Sequence, residues 1–246
     1  MKNLDYKNIS SKKIDDLFKR PAMKTDDVLN SVKQIVEIVK KDGDKAVLKY
    51  AKKFDGLKGN SIILSKKEID NASKKLSLKI KNAIDLAADN ISKFHSKQFP
   101  KGYSVETMPG VKCLRKFVPI ESVGLYIPGG SAILFSTMLM LGIPAKIAGC
   151  KRIVVSTPIG KNGIEPALAY SIKKCGVDEV YCVGGAHAIA MMAYGTKKIN
   201  KVDKIFGPGN QFVTAAKTLV SIDPYGCAID MPAGPSEVLI IADDTA

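Results

Sequence analysis

The central signal for the fold is Val123-Gly124-Leu125-Tyr126-Ile127-Pro128-Gly129-Gly130, a short apolar run that ends in a proline and two glycines. Similar β-rich runs recur further along the chain, at Arg152–Ser156, Asp178–Cys182, Lys204–Phe206, Cys227–Asp230 and Val238–Ile241. Most of the intervals between them leave room for a helix, and strands that alternate with helices are typical of a parallel sheet. The sequence therefore predicts a doubly wound α/β fold.

Glycine-rich turns follow most of these predicted strands. They are Pro128-Gly129-Gly130, Gly184-Gly185-Ala186, Gly207-Pro208-Gly209-Asn210 and Pro232-Ala233-Gly234-Pro235. In an open parallel sheet the loops at the carboxyl ends of the strands meet at one edge, and glycine lets their N–H groups approach a phosphate. Any one of these turns is more often just a tight turn, and Phe212 replaces the third glycine of a dinucleotide fingerprint. Four turns in corresponding positions nevertheless predict an anionic or dinucleotide ligand at this edge.

The first hundred residues differ in composition from the rest. Residues 1–100 contain three Gly and two Pro, whereas residues 101–246 contain seventeen and ten. Thr25, followed by two aspartates, is typical of a helix N-terminus, and the apolar stripe from Val28 to Val39 predicts a helix that ends near Gly43. We interpret this stripe as part of a core.

A second helical region follows it. Ser65 and Glu68 have the spacing of a capping box. Apolar residues then recur with helical period from Ile69 to Phe94, which predicts one long amphipathic helix that ends near His95. We interpret its stripe as core as well.

The net charge of +14 is unevenly distributed. Residues 1–100 carry 23 Lys and Arg against 13 Asp and Glu, and the other 146 residues carry 15 against 11. The N-terminal lysines occur as doublets on the polar sides of helical patterns, without interleaved aromatic residues that could stack on bases. They therefore indicate a solvated surface, and we expect no nucleic-acid partner.

The apolar runs and the cysteines bear on location. Runs such as 136–143 and 238–242 are much shorter than the roughly 20 residues of a membrane helix, and the first twenty residues contain no apolar segment of a secretory signal. The five cysteines are scattered and form no C-x-x-C pair, so neither a disulfide framework nor a cysteine-only zinc site is indicated. We expect a cytoplasmic protein without a membrane partner, with its cysteines as buried thiols.

Histidine is scarce, and the scarcity limits the available chemistry. The chain contains only His95 and His187. His95 closes an apolar stripe, and we interpret it as structural. His187 falls in the first turn of the helix after Gly184-Gly185, where the helix dipole disfavours an imidazolium and favours a neutral hydrogen-bonding role. Spaced this way, the histidines predict no self-contained zinc site.

Ser236 is the remaining candidate for chemistry. It lies in Gly234-Pro235-Ser236-Glu237, which is not the G-x-S-x-G turn of a serine nucleophile, and no histidine and acid partners are indicated. A ligand-contacting serine is the better interpretation.

Longer segments around these turns resemble the histidinol dehydrogenase family. They are Val123–Gly130, Phe135–Cys150, Val202–Asn210 and Ile229–Glu237. The resemblance continues upstream through Val105–Gly110 and the Phe94-His95 helix, and more loosely through Gly43-Asp44 and Phe54-Asp55-Gly56. It thus covers nearly the whole chain. Members of this family oxidise L-histidinol to L-histidine through the aldehyde, with NAD as oxidant and a zinc ion that binds the substrate.

The resemblance assigns roles to individual residues. It implies that Tyr126, the Gly184-Gly185 helix start and Asn210 contact NAD, and that Ser236 contacts L-histidinol. His187 stands where the family usually has glutamine, and an imidazole can keep one hydrogen bond of that contact although it is shorter. The alternative for His187 is a side chain that only packs beneath its helix.

The resemblance also bears on the extent of the chain. It places the zinc ligands and the acid–base pair of the family beyond Ala246, so we expect no catalytic residue and no metal ligand in this chain. It implies an N-terminal fragment that is inactive alone and belongs to a homodimer when full length. The expected parts are an arm (1–24), an incomplete first α/β domain with an α-rich N-terminal region (25–122 and 233–246) and a Rossmann-like NAD-side domain (123–232).

Two other functions compete with this one. The chain could be a catalytically inactive stand-alone protein that binds a nucleotide. Its basic N-terminal part could instead bind nucleic acid, which predicts a steep salt dependence. The charge pattern disfavours the latter.

Overall fold

A computed structural model describes residues 9–18, 25–129, 134–160, 163–177, 179–231, 240 and 242. Its helices are α1 (Ser11–Phe18), α2 (Thr25–Asp42), α3 (Asp44–Phe54), α4 (Lys66–Lys74), α5 (Leu78–Ser96), α6 (Phe135–Ala148), α7 (Pro166–Lys174), α8 (Gly185–Tyr194) and α9 (Gln211–Ile222). Its strands are β1 (Tyr103–Met108), β2 (Val111–Arg115), β3 (Ser122–Tyr126), β4 (Arg152–Ser156), β5 (Glu179–Tyr181), β6 (Lys204–Phe206) and β7 (Ala228–Ile229).

Five of the strands form a parallel sheet in the order β5-β4-β3-β6-β7. The chain moves outward from β3 to one side through β4 and β5, then crosses over and continues on the other side with β6 and β7. This is the strand order of a doubly wound α/β sheet, so the predicted fold class is confirmed. β3 is central and wholly buried, as expected for a strand with neighbours on both sides and helices on both faces.

The predicted strands agree closely with the observed ones. β4 and β6 have the predicted bounds, β3 begins one residue before the apolar run that starts at Val123, and β5 and β7 are shorter than predicted. The predicted strand Val238–Ile241 lies outside the described residues, apart from Ile240. The agreement has a simple cause, because strands buried on both faces are nearly continuous apolar runs.

Helices cover the sheet on two faces, each with its own hydrophobic cluster. On one, which we call the α8 face, α2 and α3 pack with α8 and α9. On the other, the α6 face, α4 and α5 pack with α6 and α7. The predicted apolar stripe of α2 is confirmed as core, since Val32, Val36 and Val39 are buried in the α8-face cluster. The N-terminal helices therefore share both cores with the sheet, and the domain boundary expected after residue 122 stays a prediction.

The long helix predicted from Ile69 to His95 is wrong, because two helices occupy this region. α4 begins with the predicted capping box, in which Glu68 N–H donates to Ser65 Oγ and Ser65 N–H donates to Glu68 Oε2, at 3.2 and 2.8 Å. It ends at Lys74, and Ser77 then caps α5 as a new N-terminus. Because the break changes the helical phase, part of the predicted stripe is solvent-exposed, including Phe94 at 65%.

Two further segments complete the described fold. β1 and β2 form an antiparallel hairpin whose residues are all exposed. The segment before α4 lies along the outer edge of β5, where Leu64 N–H donates to Val180 O and Cys182 N–H donates to Ile62 O, at 2.9 and 2.6 Å. The chain thus covers one edge of its own sheet.

The cysteines are all free thiols, although they are less uniformly buried than expected. Cys175 and Cys182 are buried, whereas Cys113 lies exposed on the hairpin. Burial raises the pKa of Cys175 to about 11 and that of Cys182 to about 12, so both stay protonated near neutral pH.

Within the described residues, none of the helices combines the length and the apolar character that crossing a bilayer requires.

Candidate functional site

A cavity opens at the carboxyl edge of the sheet, where the loops after β3, β4, β5 and β6 meet α2 and α3. We call it the loop-edge cavity, and its walls include Tyr126, Pro158, Gly185, His187 and Asn210. Its volume is about 750 Å³, which lies within the range of small-molecule and cofactor sites. It lies where the strand order reverses, the position at which open α/β sheets bind their ligands.

Tyr126 is the last residue of β3 and points toward the start of α8. It is 4% exposed, and its Oη accepts a hydrogen bond from Gly185 N–H at 3.0 Å. Burial raises the pKa of the Tyr126 hydroxyl, so it remains protonated near neutral pH. The phenol proton is therefore available as a donor at the cavity wall.

The loop after β6 passes directly over the end of β3. Gly207 has φ of +129°, and a Cβ at this position would overlap the carbonyl oxygen of Tyr126. Only glycine fits such a position. An ion pair between the buried Lys217 and the partly exposed Asp230 holds the loop, since Lys217 Nζ donates to Gly207 O at 2.9 Å and Gly207 N–H donates to Asp230 Oδ2 at 2.8 Å. The backbone at the cavity is therefore fixed on both sides of Gly207.

Asn210 ends this loop and begins α9. Its side-chain Oδ1 accepts hydrogen bonds from Phe212 N–H and Val213 N–H, at 3.1 and 3.2 Å, as an N-cap does. Because the oxygen faces the helix, the two amide N–H donors are the part of the side chain that can serve a ligand. The cap fixes their position.

His187 lies in the first turn of α8 and points toward α3. It is 1% exposed, and its Nε2 lies 2.8 Å from Asp55 Oδ2, to which the ring donates. The rings of Tyr50 and Phe54 are 5.7 and 6.0 Å from the imidazole ring. His187 thus forms part of the cavity wall, with one ring nitrogen already bound to a carboxylate.

A second cavity lies on the α6 face, and we call it the apolar cavity. Its volume is about 400 Å³, and its walls are mostly carbon, including Phe99, Phe117, Met140 and Ile147. His95 also lines it, with Nδ1 at 2.7 Å from Gln98 Oε1. The structural role predicted for His95 agrees with this local contact.

Comparisons with known proteins identify the family to which this fold and cavity belong. The sequence model of the histidinol dehydrogenase family matches residues 18–246. Histidinol dehydrogenase from Vibrio parahaemolyticus is 51% identical over 247 residues, which cover 100% of this chain and 57% of that protein. The chain belongs to the histidinol dehydrogenase family. Histidinol dehydrogenase from Bacteroides thetaiotaomicron is 53% identical over 232 residues, which cover 94% of this chain and 54% of that protein.

A solved member of the family has the same fold. The crystal structure of histidinol dehydrogenase from Elizabethkingia anophelis superposes with a TM-score of 0.86 at 48% identity. The match covers 97% of this chain and 55% of that one. The chain therefore spans slightly more than half the length of the histidinol dehydrogenases that it matches.

The structure brings three of the predicted site residues together. Tyr126, His187 and Asn210 all line the loop-edge cavity, although they lie in three separate places in the chain: the end of β3, the first turn of α8 and the N-cap of α9. Ser236, predicted to contact the substrate, lies outside the described residues. Asp55 was missed as a site residue. The Phe54-Asp55-Gly56 resemblance was the only signal that could have drawn attention to it.

A metal site was not expected in this chain. Among the described residues, no group of three or more His, Cys, Asp or Glu side chains lies close enough together to hold a metal ion. The described residues thus do not fit zinc, and no zinc-dependent step can be derived from them.

Proposed function

We propose that this chain carries the NAD-binding side of a histidinol dehydrogenase, which oxidises L-histidinol to L-histidine through the aldehyde. The observation that supports this most directly is the loop-edge cavity at the strand-order reversal, in a chain of that family. When bound, NAD accepts the hydride that leaves the substrate carbon. What the described residues contribute is binding and orientation.

Two side chains are suited to hold the cofactor. Tyr126 presents a protonated hydroxyl at the end of β3, and Asn210 presents amide donors at the start of α9. Both groups are fixed before a ligand arrives, Tyr126 by Gly185 and Asn210 by the helix that it caps. Such preorganisation reduces the ordering cost of binding. His187 completes the wall, with its Nε2 bound to Asp55.

Substrate, metal and assembly belong to the same proposal. Ser236 is proposed to contact L-histidinol. The zinc site and the acid–base pair are proposed to lie in the part of the family sequence that has no counterpart among residues 1–246. We also infer that the protein is cytoplasmic and forms a homodimer when full length. The hairpin exposes apolar side chains such as Val105 and Leu114, and this exposure supports the proposal that further protein packs over them. The alternative of an inactive nucleotide-binding protein is less well supported, because the resemblance extends to the segment around Ser236.

Calorimetric titration of NAD into the chain tests the cofactor proposal, with Asn210→Ser as the informative variant. Serine keeps the N-cap acceptor but removes the amide donors. We expect the free energy of unfolding to stay nearly constant, while NAD binding weakens by about 0.5 to 1.5 kcal/mol, the net value of one hydrogen bond.

Asn90→Ser is the matched control, since Asn90 is exposed on α5. This control should leave NAD affinity unchanged. Equal NAD affinity in the wild type and Asn210→Ser would remove Asn210 from the proposed site, and no NAD binding by the wild type would contradict the proposal as a whole.

A further inference from the structure

Asp55 connects the end of α3 to the start of α8, 129 residues further along the chain. Its side chain is 8% exposed. A single oxygen, Oδ2, accepts hydrogen bonds from Gly184 N–H at 3.0 Å and from His187 Nε2 at 2.8 Å. The carboxylate is therefore both buried and bound on the α8 face of the sheet.

These contacts supply partners from inside the protein for two N–H groups at the start of α8. Gly184, the N-cap, donates its N–H to Asp55, and Gly185, the first helical residue, donates its N–H to Tyr126 Oη. A helix start attracts anions because its N–H groups lack partners within the helix and the helix dipole is positive there. In this protein a carboxylate of the chain itself supplies the negative charge.

The space above Gly184 is also filled. A Cβ at this position would lie 2.8 Å from Pro158 Cβ and 2.9 Å from Asp55 Oδ1. A phosphate group could reach Gly184 N–H only by displacing Asp55. A phosphate bound next to the Asp55 carboxylate would also be repelled by its negative charge.

We infer that Asp55 is the resident anion of the α8 N-terminus and a positioning residue of the loop-edge cavity. It holds the Gly184-Gly185 turn, and the turn in turn holds the hydroxyl of Tyr126. For NAD binding, this inference rests on the function proposed above: the pyrophosphate binds elsewhere in the cavity and not at this helix start. It thus differs from the expectation, drawn from the family resemblance, that the helix start contacts NAD.

Thermal unfolding in inorganic phosphate tests the resident anion without NAD. Asp55→Ala leaves the helix start open to an external anion. We expect phosphate, compared with chloride at equal ionic strength, to raise the melting temperature of this variant by about 2 °C or more, because phosphate binds its folded state. The wild type should change by less than half as much.

Asp85→Ala is the matched control for this measurement. Asp85 is also a carboxylate that accepts hydrogen bonds from the chain, at 3.0 Å from Tyr170, but it lies on α5 away from the cavity. It should respond to phosphate as the wild type does. A phosphate effect of equal size in the wild type and Asp55→Ala overturns the inference, and so does no phosphate effect in Asp55→Ala.

Calorimetry with NAD tests the positioning role. Asp55→Ala should weaken NAD binding about tenfold, since a charge-assisted hydrogen bond that holds the turn is lost. Inorganic phosphate should then restore part of the affinity by replacing the carboxylate. If the pyrophosphate of NAD bound at the helix start, phosphate would compete with NAD and weaken its binding further, and that result overturns the inference.

Asp55→Asn decides the question if the alanine variant does not fold. Its amide oxygen keeps an acceptor for Gly184 N–H while the negative charge is removed. We expect an NAD dissociation constant within about threefold of the wild type. An NAD affinity that rises tenfold or more would place the pyrophosphate at the helix start and overturn the inference. If the wild type binds no NAD, the proposed function fails, while the phosphate measurement still decides the role of Asp55.

Discussion

On each face of the sheet an aspartate accepts hydrogen bonds from a lysine and a tyrosine, but the two faces end in different cavities. On the α8 face, Asp223 accepts hydrogen bonds from Lys40 Nζ at 2.6 Å and from Tyr194 Oη at 2.9 Å. These contacts join α2 to α8 and to the end of α9. A second carboxylate of this face, the buried Asp55, contacts the other end of α8 at the loop-edge cavity.

On the α6 face, Asp85 accepts from Lys174 Nζ at 2.8 Å and from Tyr170 Oη at 3.0 Å, which joins α5 to α7. This face ends in the apolar cavity, beside the exposed ring of Phe99. The two cavities therefore differ in the groups that converge on them. Loops from four strands converge on the loop-edge cavity, whereas the apolar cavity lies between side chains of packed elements.

The largest expected difference between the faces is in packing, and the same substitution on each face measures it. Ile189 on α8 is 0% exposed, whereas Ile147 on α6 lines the apolar cavity. Ile189→Ala should lower the free energy of unfolding by about 3 to 4 kcal/mol, because it removes apolar contacts and leaves a new void. Ile147→Ala should cost only about 1 kcal/mol, because its side chain already borders empty space. Urea denaturation gives both values, and equal losses would mean that the apolar cavity is closed in solution.

Adding volume should have the opposite sign on the two faces. Ala188 on α8 is 0% exposed and surrounded by core, so Ala188→Leu should destabilise the protein by about 1 to 3 kcal/mol through overpacking. Ala145 on α6 lines the apolar cavity, and Ala145→Leu should stabilise it by about 0.5 to 1 kcal/mol by filling space. The comparison is again made by urea denaturation. Destabilisation by both substitutions would show that the apolar cavity cannot accept a side chain.

The smallest expected effect concerns the two carboxylates and pH. Lys40 lowers the pKa of Asp223 to about 2, helped by Tyr225 N–H, and Lys174 lowers the pKa of Asp85. A folded-state pKa below the unfolded one stabilises the fold above the unfolded pKa, and this stabilisation is lost as pH falls toward the folded pKa. The urea concentration at the midpoint of unfolding should therefore decrease as the pH is lowered from about 5 to about 3.

Asparagine variants separate the two contributions. Asp223→Asn should make that pH dependence shallower, and Asp85→Asn should do so less. Asp89→Asn, on the exposed side of α5, serves as control and should leave the slope as in the wild type. A wild-type slope in Asp223→Asn would show that the contact with Lys40 does not stabilise the fold in solution.

Much of the sheet could be predicted from the sequence because its signal is local. Buried parallel strands are short apolar runs, and the glycine turns after them mark one edge. The ends of β4 and β6 follow from such local patterns. The break between α4 and α5 also has a local signal, the N-cap Ser77, which the continuous apolar pattern around Leu76 concealed.

The rest depends on contacts between distant parts of the chain. The packing of α2 on α8 and of α4 on α7 is set by the shapes of two helices that do not adjoin in sequence. The role of Asp55 is of the same kind, since its partner Gly184 follows a different strand. Turn glycines predict where a ligand binds, but they do not reveal that the protein itself has already used the N–H groups of one turn.

The segment that covers the edge of β5 has a consequence for aggregation. A bare strand edge can pair with a strand of another molecule, and here the groups of Val180 and Cys182 that would allow it are already paired with Leu64 and Ile62. The covering segment lies between α3 and α4, so it stays in place only while both helices are docked. Loss of either helix would therefore expose a template for intermolecular strand pairing. The N-terminal helices thus prevent self-association through this edge in addition to contributing to the core.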